Sequence, residues 1–534
     1  MLGATPHPCD TAVIQSADDP SQTKTSPGWI LAATILGSSM VFIDGTVVNV
    51  ALPALQTQFN ASASGAQWVI QSYALFLAAL LLVGGALGDR YGRRRVFSIG
   101  VCVFAGASVC CGLATSLMQL IVARGVQGVG AALLAPGSLA IIGASFPEAT
   151  RGRAIGTWSG ATGITAAIGP ALGGWLIDHA SWRWAFFINV PIAIAVFLIA
   201  ARFVPESRNP GTTKLDWPGA ALATLGLCGI VYGLMEAPDR GWHDTTVIAT
   251  LVAGVVALMA FVLVEARSHA PMLPLHLFRL RDFSGANLLT LLLYGALGGG
   301  LFFFPINLIQ VQGYSATAAG AALLPFIAVM VLFSRWAGGL VARYGAKLPL
   351  SIGPTIAAIG YLLLSLPGIG GSYWTTFFPA TLVMGFGMAV SVAPLTTVVM
   401  NTVGRDLAGL ASGVNNAVSR TATLLAIALL GVIMAHQFSH VLERHLTSLE
   451  HASQPVRDAV YAQRGKLAGI EIPADVDEEV RATVSLAIKQ SYVSGFRLLM
   501  RICAALALLA VVPGWILISG KHVAKNEAEQ RERR

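Results

Sequence analysis

The sequence predicts an all-α polytopic membrane protein with fourteen transmembrane helices, and three observations carry that prediction. Of 534 residues, 55% are hydrophobic and only 11% charged. A soluble globular chain carries about 25% charged residues, so this one lacks the polar surface that water demands. Apolar stretches recur along the chain, each of about 20 residues and so long enough to cross a ~30 Å hydrocarbon core as a helix. The basic residues that flank them gather on one side. The same arithmetic excludes a disordered chain, collagen and a small disulfide scaffold.

Taken in order, the apolar runs begin near Trp29, Ala66, Val96, Leu117, Ile155, Trp184 and Trp217, then Thr246, Ser284, Ala316, Leu348, Thr376, Leu407 and Leu498. Each is bounded by polar or Pro/Gly punctuation. The first follows a polar tail, residues 1–28, and carries Asp44 and Asn49. It is too long for a signal-peptide core and is expected to stay as a helix. With the N-terminus in the cytoplasm, 21 of the 34 Lys and Arg fall in the two tails and the loops after even-numbered spans. The short loops opposite hold only Arg183 and Arg240. Such a bias is the positive-inside signature, so both termini are expected in the cytoplasm and the protein in the cell (inner) membrane. The net charge of +8 is therefore a topology label, and no nucleic-acid partner is expected. The six cysteines show no metal-ligand spacing and read as small apolar residues.

An internal repeat organises the spans. Arg90-Tyr91-Gly92 and Ser98-Ile99-Gly100 recur as Arg343-Tyr344-Gly345 and Ser351-Ile352-Gly353, each pair 253 residues apart. Two six-helix halves need an offset of roughly 200 residues, so the excess fits two inserted helices. The expected plan is 6 + 2 + 6. It divides into a tail (1–28), an N-terminal bundle (29–203), two extra helices (204–265), a linker (266–282), a C-terminal bundle (283–519) and a basic tail (520–534). Two parallel repeats around a cavity are the plan of a secondary transporter that alternates access. Inside the last bundle, the hydrophilic segment 437–490 carries apolar residues at helical spacing (Phe438, Val441, Leu442, Leu446, Leu449; later Val480, Val484, Ile488). It is expected to form short amphipathic helices at the outer membrane surface. That makes it a structured connector, with docking of an extracytoplasmic adaptor as the alternative.

Five motifs then point to a family. Gly85-Ala-Leu-Gly-Asp89-Arg90-Tyr-Gly92-Arg93-Arg94-Arg95 resembles the signature loop between helices 2 and 3 of the major facilitator superfamily. Ile43-Asp44-Gly-Thr46-Val-Val-Asn49-Val-Ala-Leu-Pro53 resembles the first-helix motif of its fourteen-span drug:proton antiporters. Arg124-Gly-Val-Gln127-Gly128-Val-Gly130 resembles the fourth-helix motif, and Gly169-Pro170-Ala-Leu-Gly173-Gly174 the fifth-helix antiporter motif. Trp182-Arg-Trp-Ala-Phe-Phe-Ile-Asn189-Val-Pro191 also fits. One position departs: Thr165 stands where the antiporter motif usually has glycine. The resemblance implies the major facilitator fold and proton-driven export. It also implies that the loop at Asp89 and Arg90 to Arg94 holds the halves together on the cytoplasmic side, and that the fifth helix seals the outer side.

The residues also carry chemistry of their own. Asp44 is the one acid well inside a span; Asp178, Glu236 and Glu265 sit at span ends. A carboxylate at such depth costs at least ~2.5 kcal/mol, so it is functional or paired. Burial and a neighbouring positive charge act on its protonation in opposite senses, which suits a site that exchanges a proton. Counting helical rise from the span ends puts Arg124 at nearly the same depth, making it the natural partner. Proton coupling and a purely structural ion pair are the two readings of that pair. Gly160, Gly163, Gly169, Gly173 and Gly174 give the fifth span a small-residue face for close helix approach, and Pro170 bends it. Gly92 suits a turn with positive φ. Arg420 lies deep in the thirteenth span without a deep acid nearby, and Arg335 lies near enough to an end to snorkel. Gln71, Tyr73, Gln127, Tyr294, Phe303, Asn307 and Arg420 are candidates to line a substrate cavity, with Met384, Phe386 and Met388 as further ones.

The leading expectation is a proton-coupled exporter of drug-like or amphipathic compounds, with small-molecule substrate, protons and membrane lipids as partners. The alternative keeps the fold and changes the cargo to a specific metabolite, lipid or siderophore, including an anionic one. An enzyme or ATP-driven pump is not expected: no G-x-x-x-x-G-K-[ST] loop occurs, and no His/carboxylate cluster suits a metal or hydrolytic site. No cofactor and no metal are expected.

Overall fold

The computed structural model describes residues 26–208, 216–268, 271–403, 408–449, 453–473 and 475–519. Most of both tails, Cys9 and Leu407, the expected start of the thirteenth span, lie outside these residues. Among the described residues no strand occurs, and fourteen helices are long and apolar enough to cross a membrane. In chain order they are α1 Pro27–Phe59, α2 Ala63–Tyr91, α3 Arg93–Gly112, α4 Leu117–Ser145, α5 Thr150–His179, α6 Trp184–Phe203 and α7 Trp217–Arg240. Then follow α8 Thr245–Arg267, α9 Arg281–Val311, α10 Ala316–Tyr344, α11 Lys347–Leu364, α12 Phe378–Asn401, α13 Leu410–Ser448 and α14 Glu478–Ile516.

Local chemistry sets the ends. Ser62 caps α2 by accepting from the Gly65 N–H, Ser116 caps α4 and Asp244 caps α8, each satisfying N–H groups that a helix start leaves open. The half-buried Asp244 carboxyl lies below its usual pKa because the N–H groups of Val247 and Thr246 donate to it. The turns after α2 and α10 both close on a glycine with positive φ, Gly92 (113°) and Gly345 (75°). These are matching positions of the sequence repeat, and a Cβ would be strained at either.

Packing follows the chain. α2 and α3 lie on α4, while α1 lies between α5 and α6. In the later part α10 and α11 lie on α12, and α9 and α14 flank α13. α7 and α8 pack on each other, and α7 reaches α2 and α13. α8, with the highest mean hydropathy of the fourteen at 2.9, leaves Val252, Val256, Met259 and Leu263 exposed, as a lipid-facing helix should.

One segment differs from expectation. Residues 437–490 are not separate surface helices: α13 runs on to Ser448 and α14 starts at Glu478, so both helices project past the membrane-crossing length. A short helix, Gln454–Ala462, and a 3₁₀ turn, Arg464–Gly469, join them. Phe438, Leu442, Leu446, Val460, Val484 and Ile488 are buried in one cluster with the bundle core. The helical spacing that reads as amphipathic is real, but its apolar face meets protein instead of lipid.

Helices α1–α6 pack mainly among themselves, as do α9–α14, and these two sets, the first and second body, touch unevenly. At the end opposite the basic loops (the far end), α5 and α10 come into backbone contact. A Cβ on Gly174 would lie 2.2 Å from the Ala316 carbonyl oxygen, and one on Gly320 2.0 Å from that of Pro170. Asp178 caps the start of α10, accepting from Ala316 N (3.1 Å), Thr317 N (2.8 Å) and Thr317 Oγ1 (2.6 Å). Towards the basic end the two helices part. Gly152, Gly156 and Gly160 face open space, and Ile155, Gly156 and Thr157 are exposed, while Trp158 still donates to Ser38 of α1 at 3.1 Å. The molecule is closed at the far end and open beside α5 at the basic end.

Candidate functional site

Asp44 lies mid-way along α1 and is completely buried, as is Arg124 on α4 to within 1%. The two form an ion pair through Arg124 Nη1 and Asp44 Oδ2. The second carboxylate oxygen, Oδ1, accepts from Gln127 Nε2 at 2.8 Å and from Asn189 Nδ2 on α6 at 3.1 Å. Gln127 sits one helical turn after Arg124, so one face of α4 presents both, and its Oε1 accepts from Arg124 Nη1 at 2.6 Å. Its Nε2 also donates to Ser108 on α3 at 2.8 Å, as Asn189 does at 3.4 Å. Arg124 Nε donates to the Val69 carbonyl on α2 at 3.0 Å, and its guanidinium lies 4.2 Å from the centre of the Tyr73 ring. Five helices thus converge on a single carboxylate with three donors and no water-facing surface. Buried charge on this scale is tolerated only when paired and hydrogen-bonded, and here both conditions hold.

The architecture around this site has known counterparts. The family model described as Major Facilitator Superfamily matches residues 34–427. The chain belongs to the major facilitator superfamily. Membership makes it a multi-pass membrane transporter rather than an enzyme. It is 34% identical over 494 residues to "Multidrug resistance protein Stp" of Mycobacterium tuberculosis (strain CDC 1551 / Oshkosh), covering 91% of each chain. It is 32% identical to the "Tetracenomycin C resistance and export protein" of Streptomyces glaucescens, over 93% of this chain and 94% of that one. Among solved structures it resembles a bacterial homolog of the human lysosomal transporter Spinster, inward-facing and unoccupied (TM-score 0.64, 19% identity, 93% and 100% covered). It also resembles a D-xylose–proton symporter (TM-score 0.57, 16% identity, 92% and 98% covered). At these identities the structural likeness concerns the fold.

The remaining candidates of this superfamily member fall into separate places. Tyr73 and Gln127 belong to the carboxylate network. Gln71 is fully buried between the bodies, where its Nε2 donates to the Leu424 carbonyl of α13 at 3.0 Å. Asn307 is buried at the end of α9. Phe303 alone of the first seven lines the cavity at the far end. Met384 and Met388 are packed in the core, and Phe386 stacks on Trp336. Arg420 is half-buried on α13, with Tyr73 and Tyr294 as its electrostatic neighbours and no acid within ion-pair distance among the described residues. Arg335 is exposed.

The basic loop holds within one body. Asp89 pairs with Arg93 at 2.8 Å, and Glu206, just after α6, accepts from the N–H groups of Arg94 and Arg95 at 3.1 and 3.2 Å. Arg90 is exposed beside Tyr91. Gly85 lies near Pro136 of α4. The glycines of α5 divide in two. Gly169 and Gly173 receive Thr46 and Val47 of α1, and Gly174 receives α10, while a Cβ on Gly163 would only graze Val331 of α10 at 3.9 Å and Gly160 faces open space. Sequence reasoning missed Ser108 and Asn189 as members of the site. Asn189 stood inside a recognised motif, but an uncharged amide gives no depth signal of the kind Asp44 gives.

Proposed function

We propose that this transporter exports drug-like or amphipathic compounds in exchange for protons, by alternating access. The single observation that carries the reading is Asp44: a carboxylate with no exposure, paired with Arg124 and reached by two further amide donors. A proton arriving at Asp44 removes the charge that Arg124, Gln127 and Asn189 all serve, so it loosens α1 from α4 and α6. The adjoining side of α1 carries Ile43, Thr46 and Val47 against Gly169 and Gly173 of α5, and the next glycine, Gly174, touches α10. Protonation is thereby linked through α1 and α5 to the contact that closes the far end. That the relatives are resistance and export proteins supports the direction and the class of cargo.

In this reading residues 29–203 and 283–519 are the two rocking bundles, 204–265 an added helix pair and 266–282 the linker. The basic end faces the cytoplasm, with both termini there, in the cell (inner) membrane. The structure is then an inward-open form, in which the loop around Asp89 has let go of the second body. The test is Asp44→Asn in proteoliposomes carrying a pH gradient. Gradient-driven export of a cationic dye such as ethidium is expected to fall at least tenfold while dye exchange without a gradient persists. Export at the unaltered rate refutes the assignment.

Arg420 favours a second reading of the cargo. A deep guanidinium without an acid suits an anionic group on the substrate, as a specific metabolite, lipid or siderophore would carry.

A further inference from the structure

The connection between α13 and α14 does not stay over the second body. Residues Arg464–Gly469 bend across the far end and touch α1 and α2 of the first. A Cβ on Gly465 would lie 3.7 Å from Ser62 Cβ and 3.2 Å from Asp239 Oδ1, and one on Gly469 3.4 Å from Gln310 Nε2. At the centre of the turn Leu467 has φ 55° and ψ −128°, a region that a residue with a side chain rarely enters. Its side chain is 7% exposed, in one apolar cluster with Leu52 and Leu55 of α1, Phe302 and Phe303 of α9 and Tyr492 of α14. A backbone held in that region persists because surrounding contacts over-determine it. Here those contacts come from both bodies.

Under this turn lies a cavity of about 650 Å³, and Ala462 to Leu467 form part of its wall. Gln56, Gln67 and Gln310 line it as amides, with Phe303, Trp242 and Tyr492 as aromatic surface. Gln56 and Gln310 bond to each other across the two bodies at 2.8 Å. Asp239, Arg464 and Lys466 also line it, whereas Asp44 and Arg124 do not. Aromatic and aliphatic surface interleaved with amides and charged groups is the chemistry of a site for a small amphipathic molecule.

We infer that residues 463–470 are a strap closing a binding chamber at the far end, and that the chamber takes an aromatic amphipathic solute with hydrogen-bonding groups. The strap is tethered to the second body by its own chain and seated on the first. A rotation that parts the bodies at the far end therefore lifts it and breaks the Gln56–Gln310 bond in the same movement. That the guest is cargo on its way out rests on the export function proposed above.

The Ser62–Gly465 spacing fits a disulfide, for which Cβ atoms lie about 3.5–4.5 Å apart. In the full chain, oxidation is expected to cross-link the Ser62→Cys/Gly465→Cys double variant and neither single variant; absence of the cross-link overturns the seating. In detergent, Phe303→Cys is expected to react with a water-soluble maleimide at least fivefold faster when Leu467→Gly is added. Equal rates overturn closure by the strap. Rhodamine 6G serves as the aromatic probe: if the unaltered protein neither binds nor exports it, the assigned solute class falls. In proteoliposomes its export should drop at least tenfold in the oxidised double variant and return with reductant; undiminished export overturns the strap as a gate. A lock that blocks export while Asp44→Asn exports normally removes the coupling reading and leaves the strap standing. The converse result does the opposite.

Discussion

At Asp44 a single side chain gathers the donors of Arg124, Gln127 and Asn189, and the energetics of that cluster are asymmetric. Removing the acid leaves a guanidinium that still bonds Gln127 and the Val69 carbonyl; removing the base leaves a carboxylate buried with amides alone. Arg124→Ala should therefore destabilise by about 3–5 kcal/mol, the cost of breaking a buried pair from one side. A lowered thermal midpoint in detergent checks this, and Asp44→Asn/Arg124→Gln should recover most of the loss. Arg420→Gln should shift transport from anionic towards cationic dyes in a competition assay; an unchanged preference removes Arg420 from substrate selection. Charge made the first half of this site legible, because an acid and a base in apolar helices stand out and helical rise gives their depths. Ser108 and Asn189 carry no charge and lie on other helices, so nothing in the sequence ties them to Asp44. Tyr73 and Gln127 were visible as polar residues in spans, but whether such a residue faces a cavity or a buried neighbour depends on helix rotation.

Helix α5 shows what a motif means once it has a partner. Gly174 and Gly320 let α5 and α10 meet backbone to backbone at the far end, and Asp178 ties the start of α10 to it. A side chain at either glycine forces the helices apart. Gly320→Leu is expected to lengthen the distance between spin labels placed at His179 and Gln312, and an unchanged distance argues against this contact as the far-end closure. The small-residue face was readable from the spacing of the glycines; that only Gly169, Gly173 and Gly174 are used was not. The split arises because the helices diverge along their length, leaving only a loose approach of Gly163 to Val331 and open space at Gly160, Gly156 and Gly152. The segment 437–490 gives the same lesson in reverse. Its period was plain, yet period alone does not say whether an apolar face meets lipid or protein.

Across the whole molecule the two bodies are joined differently on their two sides. α2 and α13 stay together along their length: Gln67 bonds the Ile427 carbonyl at 2.9 Å, Gln71 that of Leu424, and Gly413 lies beside Leu82. α5 and α10 meet backbone to backbone at the far end, approach as far along as Gly163 and Val331, and part beyond that towards the basic end. The first contact behaves as a pivot and the second as a closure. Cysteines at Leu82 and Gly413 joined by a short bifunctional maleimide should leave export within about twofold of the unlinked variant. Strong inhibition there shows that the α2–α13 contact must also open.

The sequence by itself determined the membrane class, the number of spans, the repeat that places a positive-φ glycine after α2 and after α10, and the depth shared by Asp44 and Arg124. Each of these follows from periodicity, length and charge, which are local properties of a helix in a bilayer. The tertiary structure alone decided which end is closed, that the long connection crosses from one body to the other, and which polar side chains complete the carboxylate site. Those depend on how helices are rotated and tilted against one another, and van der Waals contact between distant segments sets that geometry without leaving a pattern in either segment.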